Sequence, residues 1–215
     1  MASGLTGTKP VRRTQRERRD GTQRKLIEAT LRCLGELGYA RSSTTEIVRA
    51  AGLSQGALFK HFPSKAELLA AAVEQLFEEL VAGYQASFEA LPEQRATPEA
   101  AFELLWQSFT GPRLAIAFEL YIVARTDPAL QRSLEPVVRH HRAMLIEHAR
   151  ALFPVAARVN RDFAAWVDLL MCSMEGLVIE RYGAGDVTRP ALAVLKQLIV
   201  QLLTGGTHTK AGTHE

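Results

Sequence analysis

The segment from Ser43 to Lys65, STTEIVRAAGLSQGALFKHFPSK, constrains this chain more than any other stretch. Ser43 is followed three residues later by Glu46, and Ser64 by Glu67; both fit capping boxes, so two helix starts fall within one short window. Gly52 supplies a turn between them, and Ser54 can cap the short helix that follows. Ile47, Val48, Ala51, Leu53, Leu58 and Phe62 form an inward face, which leaves Gln55, Gly56, Phe59, Lys60 and His61 outward. A short helix that presents an amide, an ammonium, an imidazole and an aromatic edge, packed across its predecessor through a glycine turn, has the build of a DNA-reading helix-turn-helix.

The pattern Thr-Thr-x-x-Ile-Val-x-x-Ala-Gly-Leu-Ser-x-Gly-x-Leu-Phe-x-His-Phe-x-Ser-Lys at Thr44 to Lys65 closely resembles the DNA-binding domain of TetR-family bacterial transcriptional regulators. The likeness extends upstream through Leu26 to Tyr39, where Tyr39 matches an aromatic that packs under the head. The resemblance implies an all-α fold: a three-helix DNA-binding head with a helix-turn-helix, joined by a long helix to a larger helical ligand-binding and dimerisation domain. It places Thr44, Lys60, His61 and Lys65 against phosphates, and Thr45, Gln55, Gly56 and Phe59 against bases or the groove wall. Gln55 can pair bidentately with adenine, and Gly56 lets the backbone come close to the groove. Phe59 stands where the family usually has tyrosine, and Lys60 where it often has an aromatic, so the family's base preferences do not carry over.

Charge is distributed in keeping with that reading. Through Lys65, thirteen lysines and arginines stand against five acidic residues, a net of +8; the whole chain carries +3, so the remainder carries −5. A basic head on a mildly acidic body points to a polyanion partner for the head alone. Residues 1–20 lack apolar periodicity and carry KPVRRTQRERR, which reads as a flexible basic arm, either a minor-groove contact or simply a disordered terminus. The head is expected over residues 21–66, with a first helix from about Thr22 to Leu37 ended by Gly38.

The helix starting at Ser64 should run to about Ala90 and link head to body, the body occupying residues 67–204. Prolines and glycines then divide the chain into helices over Pro98 to Thr110, Arg113 to Thr126, Pro128 to Leu152, Arg161 to Tyr182 and Arg189 to Leu203, before a disordered tail at 205–215. The last two are unusually apolar. Ala164, Ala165, Cys172, Ser173 and Gly176 would let another helix approach, and Leu195, Leu198 and Leu202 form a stripe. The resemblance implies that Cys172, Gly176, Leu195, Leu198 and Leu202 form the seam of a homodimer; packing within the body's own core is the other reading. Two homodimer heads would require a palindromic double-stranded DNA operator.

Trp106, Phe109, Phe118, Tyr121, Met144, Trp166, Leu170 and Met174, together with Phe102, Leu105 and Ile122, could line a ligand pocket, with Arg125, His141, His148 and Glu175 as polar groups that orient a ligand. The apolar bias suggests a small hydrophobic or amphipathic effector, and the resemblance implies a repressor that it releases. A DNA-binding structural protein without a ligand switch is the alternative. There is no phosphate-binding glycine loop, Gly-x-Ser-x-Gly elbow or His-Glu-x-x-His, so no enzyme, metal or cofactor is expected. No secretory or membrane-spanning run is evident. Cys33 and Cys172 therefore read as free, buried thiols in a reducing cytoplasm.

Overall fold

The computed structural model describes residues 14–185 and 189–204, which fold as ten α-helices and two short 3-10 turns with no strand among them. The arm before residue 14 and the tail after residue 204 lie outside the described residues. Helix α1 (Gln15–Leu37) begins about two turns earlier than the apolar pattern indicates. Thr14 accepts the Glu17 N–H at 3.2 Å while Glu17 accepts the Thr14 N–H at 2.8 Å, so a complete capping box starts the helix. Gln15 to Asp20, expected in the arm, is therefore helical; every residue of that segment is exposed, which is why no apolar period marks it.

Helices α2 (Thr44–Ala51) and α3 (Gln55–His61) complete the head. Ser43 caps α2 through the Glu46 N–H, but the Glu46 carboxylate turns to Arg49 instead of closing the box. Between them Gly52 adopts φ 65°, ψ 36°. Its N–H bonds the Arg49 carbonyl and the Leu53 N–H bonds that of Val48 at 2.9 Å, a Schellman closure that reverses the chain in one residue. Leu26, Ile47, Leu58 and Leu68 are fully buried in the head's own core.

Helix α4 (Lys65–Glu89) leaves the head and enters the body, where it packs along α7 (Pro128–Leu152) and against α5 (Pro98–Thr110). Leu68 on this helix belongs to the head core, whereas Leu69, Val73, Leu76 and Phe77 belong to the body core, so one rigid rod is shared between two hydrophobic clusters. Helix α6 (Leu114–Ala124) docks on the far end of α1. Thr97 and Asp127 cap α5 and α7 with proline at the first helical position of each, which places both starts as the sequence indicated. A short helix, α8 (Pro154–Val159), fills what the sequence left as a connection. Helices α9 (Phe163–Ala184) and α10 (Arg189–Leu203) close the body.

Candidate functional site

Four of the five residues expected on the outward face of α3 are exposed, and the fifth, His61, is half-buried. Gln55, Gly56 and Lys60 are exposed, Phe59 is 47% exposed despite its ring, and Leu58 beneath them is fully buried. Phe59 therefore presents an apolar surface on a basic helix. Thr45 at the start of α2 adjoins this face, and the Gln55 side-chain amide donates to the Thr45 hydroxyl at 2.9 Å. Two side chains that the resemblance assigns to base reading thus hold each other, which orients the Gln55 amide.

His61 lies at the end of α3 with Nδ1 buried and without a partner. Burial, then Arg19 and Lys60, lowers its pKa, so the head brings three basic groups from α1 and α3 together. Arg19 is a residue that sequence reasoning assigned to the arm; the helical extension of α1 puts it here. Thr44 is half-buried at the head of α2. Lys65 differs from its neighbours: its ammonium rests 4.2 Å from the centre of the Tyr39 ring and is partly buried, which lowers its pKa against the opposing pull of Asp127.

In the body, α4, α5, α6, α7, α9 and α10 surround a cavity of about 140 Å³, roughly ten times the least space one buried water requires. Phe109, Phe118, Tyr121, His148, Trp166 and Leu170 line it, as do Phe102, Leu105, His141 and Glu175. Five other residues expected there are elsewhere. Met174 is fully buried in the core, and Met144 lies on α7 away from the lining. Trp106 packs on the core edge under Arg181, whose guanidinium is 5.8 Å from its ring centre. Arg125 lies on a shallow outer groove between α6 and α7, and Ile122 is 59% exposed. A helix as apolar as α6 or α9 gives no periodic clue to which side faces inward.

The cavity's polar groups are few. His141 stacks on Phe77 at 3.9 Å, with Nδ1 buried and unpartnered; burial first, then Arg142, His140 and His148, lowers its pKa to about 4, so it is neutral near pH 7. Burial raises the Glu175 carboxyl, opposed by Arg142. Tyr84 is pushed up to about 12 by burial.

Helices α9 and α10 bear an exposed apolar face: Leu169, Ile179, Val194 and Leu198 are each about half exposed, and Cys172 and Gly176 lie open beside them. Cys172 is therefore not the buried thiol expected, whereas Cys33 is, and burial raises its thiol pKa. Leu195 packs on the body core and Leu202 lines the cavity, so these two members of the expected seam face inward.

A capped helix-turn-helix, an exposed basic reading helix and a rod running from it into a hollow helical body define a DNA-binding transcriptional regulator. Residues 26–72 match the model of bacterial regulatory proteins of the tetR family. An HTH-type transcriptional regulator of Mycobacterium tuberculosis is 31% identical over 195 residues, covering 90% of this chain and 98% of that protein. The HTH-type transcriptional regulator CymR of Pseudomonas putida is 33% identical over 183 residues, covering 84% and 89%. The same fold recurs in a TetR-family regulator from Rhodococcus sp. (TM-score 0.66, 18% identity, 85% and 99% coverage) and in the multidrug binding protein EbrR complexed with imidazole (TM-score 0.58, 19% identity, 84% and 93% coverage). The chain belongs to the TetR family, a family of transcriptional regulators and not of enzymes.

Proposed function

We propose that this protein is a dimeric, ligand-released repressor that binds a palindromic operator in the bacterial cytoplasm. The observation that carries the reading is the shared helix: α4 starts directly after the reading helix, at Lys65, and its later turns supply Phe77, Leu80, Val81 and Tyr84 to the cavity wall. A small apolar or amphipathic molecule that fills the cavity pushes on the same rod that sets the head's position. A difference in affinity of about 1–3 kcal/mol between the two head positions is enough for control.

Thr44, Lys60, His61 and Lys65 then serve phosphates, and Thr45, Gln55, Gly56 and Phe59 serve base edges and thymine methyls. One head offers too few contacts for tight specific binding. The exposed strip of α9 and α10, Cys172, Gly176 and Leu198 with Leu169, Ile179 and Val194, supports pairing across a two-fold axis. Two heads then meet half-sites about 34–36 Å apart. Among the described residues no helix is long and apolar enough to cross a membrane.

Selection of bound fragments from the organism's genome, followed by release with small molecules, tests this function. An inverted repeat upstream of a gene, vacated when the cavity is filled, supports it; enrichment of no common sequence refutes it.

A further inference from the structure

The polar lining of the cavity is unevenly divided between hydrogen-bond donors and acceptors. Tyr84 gives its hydroxyl proton to the Ala101 carbonyl at 3.4 Å, and Ser108 gives its own to the Leu104 carbonyl at 3.1 Å. His148 Nδ1 lies 2.6 Å from the Met144 carbonyl, so in the neutral ring that nitrogen carries the hydrogen and Nε2 remains an acceptor. The donors on the lining are Tyr121, a phenol kept protonated by burial and by the Glu175 charge, His141, whose neutral ring carries one N–H, and Arg142, whose guanidinium is already engaged by Asp168, Glu175 and Cys172. Lone pairs therefore outnumber free N–H and O–H groups around the space.

Charge points the same way. Arg142 lies 3.3 Å from Asp168 and 3.8 Å from Glu175, and it also reaches the Cys172 sulfur at 3.5 Å. One guanidinium set against two carboxylates leaves the cluster one negative charge in excess. Glu175 and Arg142 both line the cavity and Asp168 does not. A half-buried carboxylate whose cation stands beyond hydrogen-bond distance is incompletely compensated. An anionic ligand would add a third negative charge to a guanidinium already shared, whereas a cation would neutralise the excess.

We infer that the cavity selects an apolar ligand whose one polar end donates hydrogen bonds, a primary or secondary amine above all, seated at the Glu175 carboxylate, and that it discriminates against carboxylates. This rests on the cavity being the effector site. His148 Nε2 and the lone pairs of Tyr84 and Ser108 add acceptors, while His141, neutral against Phe77, adds no positive charge.

Calorimetric titration of the full chain with phenylbutylamine, phenylbutanol and phenylbutyrate, three head groups on one apolar skeleton, tests it. The amine binds about tenfold more tightly than the alcohol, and the carboxylate binds most weakly. In Glu175→Gln the amine falls to within about twofold of the alcohol, while phenylbutane, which has no head group to meet Glu175, binds as it does to the native chain and reports an intact cavity. A carboxylate that binds best, or an amine preference that survives Glu175→Gln, overturns the inference and leaves the cavity as a ligand site. Binding by none of the three overturns the cavity reading, and this inference with it.

Discussion

The Tyr39 backbone N–H donates to Glu119 Oε1 at 2.9 Å, tying the end of the head to α6 of the body. The Tyr39 ring carries Lys65 on its face, and its phenol is pushed up by burial and then by Asp127, the cap of α7. A head residue thus meets the start of α4 and two body helices beside it, α6 and α7. Gly38 beside it holds φ 74°, ψ 170°, and a Cβ there would lie 3.2 Å from Glu119 Oε1. Gly38→Ala should therefore cost about 1–3 kcal/mol, read as a lowered denaturant midpoint, because that backbone region is essentially reserved for glycine. An unchanged midpoint would show that the joint is slack.

The joint also changes what Lys65 is expected to do. Lys65→Ala weakens binding to every duplex and in addition removes a cation–π contact worth about 0.5–1 kcal/mol, so its melting temperature falls too. Lys60→Ala, on an exposed side chain, should leave melting unchanged and reduce the salt slope of DNA binding by about one per head. Titrations at several salt concentrations separate the two.

Gln55→Ala is expected to change which sequence is preferred. The amide is oriented by Thr45, so Thr45→Val should relax the same base position, and the double variant should add little to either single one. Binding to operators randomised at each position checks this; strictly additive losses would dissociate the two residues.

Leu198→Glu, on the exposed apolar strip, should yield a folded monomer with weak, non-specific DNA binding. Leu195→Ala, which points into the body, should instead lower stability by about 1–3 kcal/mol with the dimer retained. Sedimentation and melting together decide the assignment, and a dimeric Leu198→Glu protein would contradict it.

His141 sets a pH dependence. Its pKa is lowered from 6.5 to about 4 in the folded chain, so between those values the unfolded chain binds a proton that the native one refuses, and stability falls as pH falls. The loss should be on the order of 2 kcal/mol after allowing for partial exposure, and complete once pH is below the folded value. Glu175, whose carboxyl burial raises, contributes in the opposite sense. His141→Asn should therefore flatten the acid limb relative to the native chain; an identical limb would exclude the ring as its source.

Much of this organisation was legible from local chemistry. Ser43, Ser54 and Ser64 before short apolar runs, Gly52 at the reversal, and Pro98 and Pro128 opening helices act within a few residues, so the sequence alone places those elements. Orientation in space was less accessible. The first turns of α1 carry no apolar mark because their side chains are exposed, and only the reciprocal pair Thr14 and Glu17 signals them. In α9 and α10, apolar residues cover several sides, so the outward Leu198 and the inward Leu195 and Leu202 look alike until the neighbours are in place. The link from Tyr39 to Glu119 spans 80 residues and has no local signature at all.

In the proposed function two copies of the α3 face, held at a fixed distance, read one duplex together. Fluorescence anisotropy of a selected operator and of a scrambled duplex of equal length, titrated with the full chain at one salt concentration, tests it most directly. Two chains per operator and an affinity ratio of about a thousandfold or more are predicted. One chain per duplex, or a ratio near one, would contradict it.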